Sequence, residues 1–116
     1  MIKQILLVGA GGAVGSILRY LTSVFMVKAD SFPLATFAIN IIGCFCIGLF
    51  VNLIPGNNMR LLLITGFCGG FTTFSTFASE TLTLFNNNQI LPALLYTLGS
   101  CVLGIGAVWL GMYITK

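Results

Sequence analysis

Side chains that can bind ions are concentrated in one apolar stretch of this chain, residues 69–80, with the sequence GGFTTFSTFASE. Read as one helix, Thr72, Thr76 and Glu80 recur every four residues and share a face. Phe74 and Phe77 stand three residues apart on another face. Hydroxyl groups can donate to an anion or offer oxygen to a cation, whereas the edge of a phenylalanine ring is electropositive. The pattern predicts an ion pathway, and the ring edges favour a small, hard anion.

Poor helix formers follow one another in the same stretch, first Gly69-Gly70 and then Thr72-Thr73. We therefore expect the helix to be interrupted here. Irregular backbone at membrane depth is tolerated only where protein or a cavity satisfies its polar groups, and the freed carbonyls are suitable ligands for a hard cation. The alternative is that these hydroxyls only hydrogen-bond neighbouring helices. That alternative leaves the paired glycines unexplained.

Two further polar residues lie within apolar runs, Asn40 and Arg19. The Asn40 amide can join helices or donate to a permeating anion. The Arg19 guanidinium, several residues short of the end of its run, must reach the membrane surface, find a partner or face water. Both a structural role for Arg19 and a role in drawing anions into a vestibule are open.

The elements that position these residues are membrane helices. Of the 116 residues, 58% are hydrophobic and only 6% are charged, and the mean hydropathy is +1.08. A soluble domain carries about 25% charged residues, so this composition indicates an integral membrane protein that contacts the lipid bilayer. Runs long enough to cross a bilayer predict a single all-α domain over residues 1–116 with four transmembrane helices, at about 5–26, 34–54, 59–85 and 90–114.

The basic residues give little preference for either orientation in the membrane. Lys3, Arg60 and Lys116 are expected on one side, against Arg19 and Lys28 on the other. A chain with so small a bias can insert both ways, and two oppositely oriented copies can then pair. Pairs of small residues spaced four apart, such as those in Gly11-x-x-x-Gly15, allow close helix contacts within a subunit or between subunits. Four short helices leave little room for an internal route, so an oligomer is the natural way to build one.

Three segments resemble the Fluc (CrcB) family of fluoride channels. They are GGAVGSILRY from Gly11, TFAINIIG from Thr36 and GFCGGFTTFSTF from Gly66. The third motif is highly specific, and the length, the number of spans and the order of motifs fit over the whole chain.

The resemblance implies a passive, fluoride-selective channel that exports fluoride from the cytoplasm and reduces its toxicity. It also implies an antiparallel, dual-topology homodimer in a bacterial inner membrane, with two pathways along the subunit interface. By the same resemblance, a structural sodium ion at the centre of the dimer is held by the main-chain carbonyls of Gly69 and Thr72. The residues implied to line the fluoride pathway are Asn40, Phe74, Ser75, Thr76, Phe77 and Glu80, with Arg19 at a vestibule or in a structural role.

Other functional classes fit the residues less well. A proton-coupled multidrug exporter of similar size needs a carboxylate deep in the membrane, usually in the first helix, but the only carboxylate in a predicted span is Glu80, toward the end of the third. A non-transporting assembly protein is the second alternative. The chain has no histidine and no paired carboxylates, so we expect no enzymatic activity. Its five basic residues form no cluster, and we expect no nucleic-acid partner.

Overall fold

The computed structural model describes residues 1–26 and 32–116. The charge comparison above includes Lys28, which lies outside the described residues. The helices within the described residues are α1 (Ile2–Phe25), α2 (Leu34–Leu53), α3 (Asn57–Arg60), a π-helical segment (Leu61–Cys68), α4 (Gly69–Phe71), α5 (Phe74–Asn86) and α6 (Ile90–Ile114).

Four helical stretches are long and apolar enough to cross a membrane: Ile2–Phe25, Leu34–Leu53, Asn57–Asn86 and Ile90–Ile114. The prediction of an all-helical chain with four transmembrane spans is thereby confirmed. Most large apolar side chains on α1 and α6 are exposed, as expected for surfaces in contact with lipid or another subunit. We call Asn57–Asn86 the third span, although it contains several helical segments.

The backbone of the third span departs from α-helical form in two places. The π-helical segment Leu61–Cys68 leads into α4, and the next two residues are extended, Thr72 with φ −83° and ψ 158° and Thr73 with φ −149° and ψ 121°. The helix then restarts at Phe74, where the Thr73 hydroxyl accepts a hydrogen bond from the backbone N–H of Thr76 at 3.3 Å. Threonine is a favoured residue for this capping position.

The spans pack in alternating order along the chain. The π-helical segment and α4 lie against α1, whereas α6 lies against α2. Glycines allow these close contacts: a Cβ atom at Gly70 would lie 2.6 Å from the carbonyl oxygen of Gly12, and one at Gly111 would lie 2.6 Å from that of Phe45. Each pairing therefore brings backbone against backbone.

The largest buried aromatic side chain lies where α5 meets α6. Tyr96 and Ala93 of α6 are fully buried and pack with Leu84 of α5, while Phe77 covers one side of this small core. The core holds α5 in place directly after the extended residues, and thereby positions the polar face of α5.

Candidate ion pathway at the interruption of the third span

The Asn40 side chain forms two hydrogen bonds with the backbone of Thr73. Its Oδ1 accepts from the Thr73 N–H at 2.9 Å, and its Nδ2 donates to the Thr73 carbonyl at 3.1 Å. Because a backbone N–H can only donate, the bond to Oδ1 fixes which way the amide points. An amide nitrogen carries two donors. One of them is used by Thr73, so the other is left for a ligand.

The extended residues divert donors from several main-chain carbonyls. In a continuous α-helix, the Gly69 carbonyl would accept from the Thr73 N–H and the Thr72 carbonyl from the Thr76 N–H. Here the Thr73 N–H donates to Asn40, and the Thr76 N–H donates to the Thr73 hydroxyl. Both carbonyls therefore lose their usual partners at this point of the span. Oxygen ligands of this kind are what a hard cation requires.

Arg19 supplies a donor to a third carbonyl of the same region. Its Nε donates to the Gly70 oxygen at 3.1 Å, from α1 to α4. Since cations interact favourably with the C-terminal end of a helix dipole, this contact stabilises the point at which α4 ends. The sequence left the role of Arg19 open between structure and vestibule. The half-buried side chain also lines a cleft, and both roles stay predictions.

A polar cleft of about 580 Å³ lies on one side of the interruption. Its wall includes Arg19 from α1 and a series along α5, namely Thr76, Glu80 and Thr83. Thr36, 6% exposed, contributes from α2. The cleft thus carries a guanidinium and a carboxylate together with hydroxyl groups.

A second, more apolar groove of about 490 Å³ lies on the other side. Asn40, Gly69, Thr72, Phe74 and Phe77 all line it. The structure therefore brings the two candidate carbonyl residues, the amide and both phenylalanines to one groove. Thr73 lines both the groove and the cleft, so it separates them.

The two phenylalanines differ in how firmly they are held. Phe74 is 79% exposed, and its ring centroid lies 5.8 Å from that of Phe77 at an interplanar angle of 46°. Phe77 is also packed against the Tyr96 ring, 5.0 Å away and inclined by 57°. Phe77 is therefore anchored, whereas Phe74 presents most of its ring outward, available to an ion or a second subunit.

Not every hydroxyl in the third span can serve an anion. Thr72, Thr81 and Thr83 donate their protons to backbone carbonyls four residues earlier, at 2.8–2.9 Å. The Ser75 hydroxyl is exposed and lies 3.4 Å from that of Thr73, outside both the cleft and the groove. Thr76, which lines the cleft, is the candidate pathway residue whose hydroxyl is best placed to donate.

The expected single polar face of the third span is divided. Because Thr72 is extended, it lies in the groove, while Thr76 and Glu80 line the cleft. The shared face of Thr72, Thr76 and Glu80 applied only to a continuous helix, and the extended residues separate Thr72 from the other two. Among the described residues, no group of three or more histidine, cysteine or acidic side chains could hold a metal ion.

Sequence reasoning missed Tyr96. Its hydroxyl donates to the Oε1 of Glu80 at 3.0 Å, and its side chain is completely buried. A tyrosine in the middle of an apolar run needs a partner for its hydroxyl, and this would have been the signal. The contact fixes the Glu80 carboxylate against α6.

Four membrane-spanning helices and a hydrogen-bonded polar junction inside the third span define a small, helical, multi-pass membrane protein. The family model described as "CrcB-like protein, Camphor Resistance (CrcB)" matches residues 6–112. The chain therefore belongs to the CrcB family, which confirms the resemblance seen in its three motifs.

Curated relatives cover nearly the whole chain. It is 46% identical to the fluoride-specific ion channel FluC of Flavobacterium psychrophilum, over 98% of this chain and 98% of the relative. It is 42% identical to FluC of Azobacteroides pseudotrichonymphae (100% and 98% covered) and 44% identical to FluC of Phocaeicola vulgatus (98% and 99%). These relatives are named as ion channels, which confirms the prediction that the chain is not an enzyme.

Proposed function

We propose that this protein is a fluoride-specific channel through which the ion passes passively along its gradient. The observation that carries the proposal is the Asn40–Thr73 junction, where an amide with a spare donor lies in the same groove as Phe74 and Phe77. The names of relatives 42–46% identical over almost the full length support fluoride as the ion.

Fluoride enters the pathway by exchanging water for donors of the protein. In the groove, the second N–H of Asn40 donates to the ion and the electropositive edges of Phe74 and Phe77 face it. In the cleft, the Thr76 hydroxyl donates to it. Narrow passage and strong donors favour a small anion over chloride, because the larger ion gains less from each short hydrogen bond. Ser75, exposed outside both the groove and the cleft, would join the polar track only where a second subunit covers it. Glu80, held by Tyr96, lies toward its end, and Arg19 draws anions into the cleft.

The conducting unit in this proposal is an antiparallel homodimer inserted in both orientations. The groove that holds Asn40 and Phe74 is open along one side of the subunit, and Phe74 is largely exposed. A second copy would cover this face and complete the pathway. The near balance of Lys3, Arg60 and Lys116 against Arg19 and Lys28 supports insertion both ways.

A structural sodium ion fits the carbonyls of Gly69 and Thr72. Both residues line the groove, and the helical donors of both carbonyls are engaged elsewhere. When bound, sodium supplies fixed positive charge that offsets the cost of bringing an anion into a low-dielectric region. Gly69 and Thr72 would hold it with main-chain oxygen alone, so side-chain substitutions at Thr72 would leave those ligands in place.

In the cell, we propose that the channel lies in a bacterial inner membrane and releases fluoride from the cytoplasm. Hydrogen fluoride crosses membranes as a neutral acid and ionises inside, where the anion is trapped. A passive fluoride pathway lets that anion leave down its gradient and lowers its toxicity.

Fluoride efflux from liposomes that contain the purified protein tests the channel. A fluoride electrode should record rapid release once a potassium ionophore dissipates the membrane potential, and a chloride electrode should record little under matched conditions. Replacement of sodium by a large organic cation should lower the fluoride rate. If a folded, dimeric sample releases no fluoride, that result would contradict the channel and favour the assembly-protein alternative.

A further inference from the structure

Three of the four cysteines line the groove that carries the candidate pathway residues. They are Cys44 of α2, Cys68 at the end of the π-helical segment and Cys101 of α6. All are free thiols. Cys46 is also a free thiol, but it lies outside the groove although it is only two residues from Cys44.

The three groove thiols differ in accessibility. Cys68 is 1% exposed, whereas Cys44 is half-buried and Cys101 is exposed. A Cβ atom at Gly104 would lie 3.5 Å from the sulfur of Cys44, so this thiol reaches across to α6. Cys101 lies one helical turn before Gly104. Cys44 and Cys101 therefore flank the same part of the groove from two helices.

Cys44 also lies close to the polar junction. It is four residues after Asn40 on α2, which separates their Cβ atoms by about 6 Å on one helix face. A bulky group attached to its sulfur would project into the space bordered by Asn40 and Phe74, or displace the Asn40 amide from Thr73.

We propose that Cys44 and Cys101 form a thiol-modification site at which soft, monofunctional electrophiles such as organomercury compounds arrest ion passage. The thiol loses its proton, its sulfur displaces chloride from phenylmercuric chloride, and an S–Hg bond forms. No oxidant is needed, and excess dithiothreitol removes the group by the reverse exchange. One sulfur is sufficient for each adduct, so no metal-binding cluster is required. The inference rests on the proposed function, because it needs the groove to carry the ion.

The experiment compares fluoride efflux before and after treatment of proteoliposomes with phenylmercuric chloride, a neutral compound that enters the covered groove from the water at the mouth of the pathway. After treatment, the fluoride efflux rates of the wild type and of Cys46→Ser should each be at least about tenfold lower than before, because a phenyl group fills a narrow pathway. Cys44→Ser/Cys101→Ser should keep its own untreated rate. Dithiothreitol should restore the two inhibited proteins.

Intact-protein mass spectrometry provides a readout that does not depend on conduction. The double variant should carry fewer phenylmercury adducts than Cys46→Ser under the same exposure. Adducts on Cys44 and Cys101 with unchanged efflux, or equal inhibition of the double variant, would overturn the inference. If the untreated protein releases no fluoride, the proposed function fails separately, and the adduct pattern still reports whether these thiols can be reached.

Discussion

Replacing Asn40 by Asp tests the junction most directly, because the new side chain keeps its shape and changes its chemistry. The carboxylate can still accept from the Thr73 N–H, but it cannot donate to the Thr73 carbonyl, so two acceptors face each other where a 3.1 Å hydrogen bond was. Loss of that bond leaves the Thr73 carbonyl without its donor and should reduce the stability of the fold by about 1–3 kcal/mol. We therefore expect the variant to fold.

Ion passage should be affected much more strongly than stability. A carboxylate about 4 Å from a passing anion repels it by about 4 kcal/mol at an effective dielectric constant of about 20. This corresponds to roughly a thousandfold lower rate. The variant also loses the spare amide donor and the geometry of the junction, and both losses lower the rate further. We therefore expect at least a hundredfold decrease in fluoride efflux from proteoliposomes.

The chain offers a matched control in Asn52, which lies near the other end of α2. Its Nδ2 donates to the Met112 carbonyl at 2.9 Å and to the Thr115 hydroxyl at 3.2 Å, and the residue is exposed. Asn52→Asp removes a similar donor and adds the same charge away from the groove, so its efflux should stay close to that of the wild type. Wild-type efflux from a folded Asn40→Asp protein would refute the placement of Asn40 in the pathway.

Three other substitutions, one of them with a matched control, distinguish effects on packing from effects on ion passage. Phe74→Ile should lower the free energy of unfolding by less than about 0.5 kcal/mol, because the ring is 79% exposed. It should nevertheless slow fluoride efflux at least about tenfold, because the electropositive ring edge is lost. Normal efflux would show that this ring edge has no part in ion passage. Gly70→Ala places a methyl group 2.6 Å from the Gly12 oxygen and should lower the free energy of unfolding in detergent by about 2 kcal/mol or more. Its control is Gly106→Ala, which has open space around it and should be neutral or slightly stabilising. Equal melting temperatures for the two variants would contradict the close backbone contact. Arg19→Lys keeps the positive charge but loses the planar donor to the Gly70 carbonyl. We therefore expect slower fluoride efflux, because the positive charge alone does not replace the hydrogen bond. Wild-type efflux would show that Arg19 acts by electrostatic attraction only.

Much of the fold follows from simple features of the sequence. Span length and hydropathy identify all four membrane helices, because a bilayer requires about 20 apolar residues in succession. The π-helical form of Leu61–Cys68 could not be predicted, since nothing in the sequence LLLITGFC distinguishes it from an α-helix of a membrane span. The segment packs against α1, a contact between spans that local sequence does not indicate. Periodicity was also insufficient at Thr72, where the backbone leaves the helix and the residue turns to the groove.

In the candidate site, too, the sequence identifies single residues but not the contacts that they make. Asn40 was identifiable because an amide in an apolar span needs partners, but the sequence does not indicate that its partner is the backbone of Thr73. The link between Glu80 and Tyr96 joins residues 16 positions apart on different helices, which no helical periodicity reveals. What was missed depends on contacts between spans.

The alternating order of packing has a consequence for biosynthesis. Because α1 packs chiefly against the third span and α2 against α6, the first two helices to enter the membrane make few contacts with each other. Neither gains its main neighbour until at least residue 61 has been inserted, and α2 must wait for nearly the whole chain. Contacts between such distant residues slow folding, since the intervening chain must first be ordered. Nascent chains that end after α2 would therefore lack both close glycine contacts and be the forms most exposed to membrane proteases.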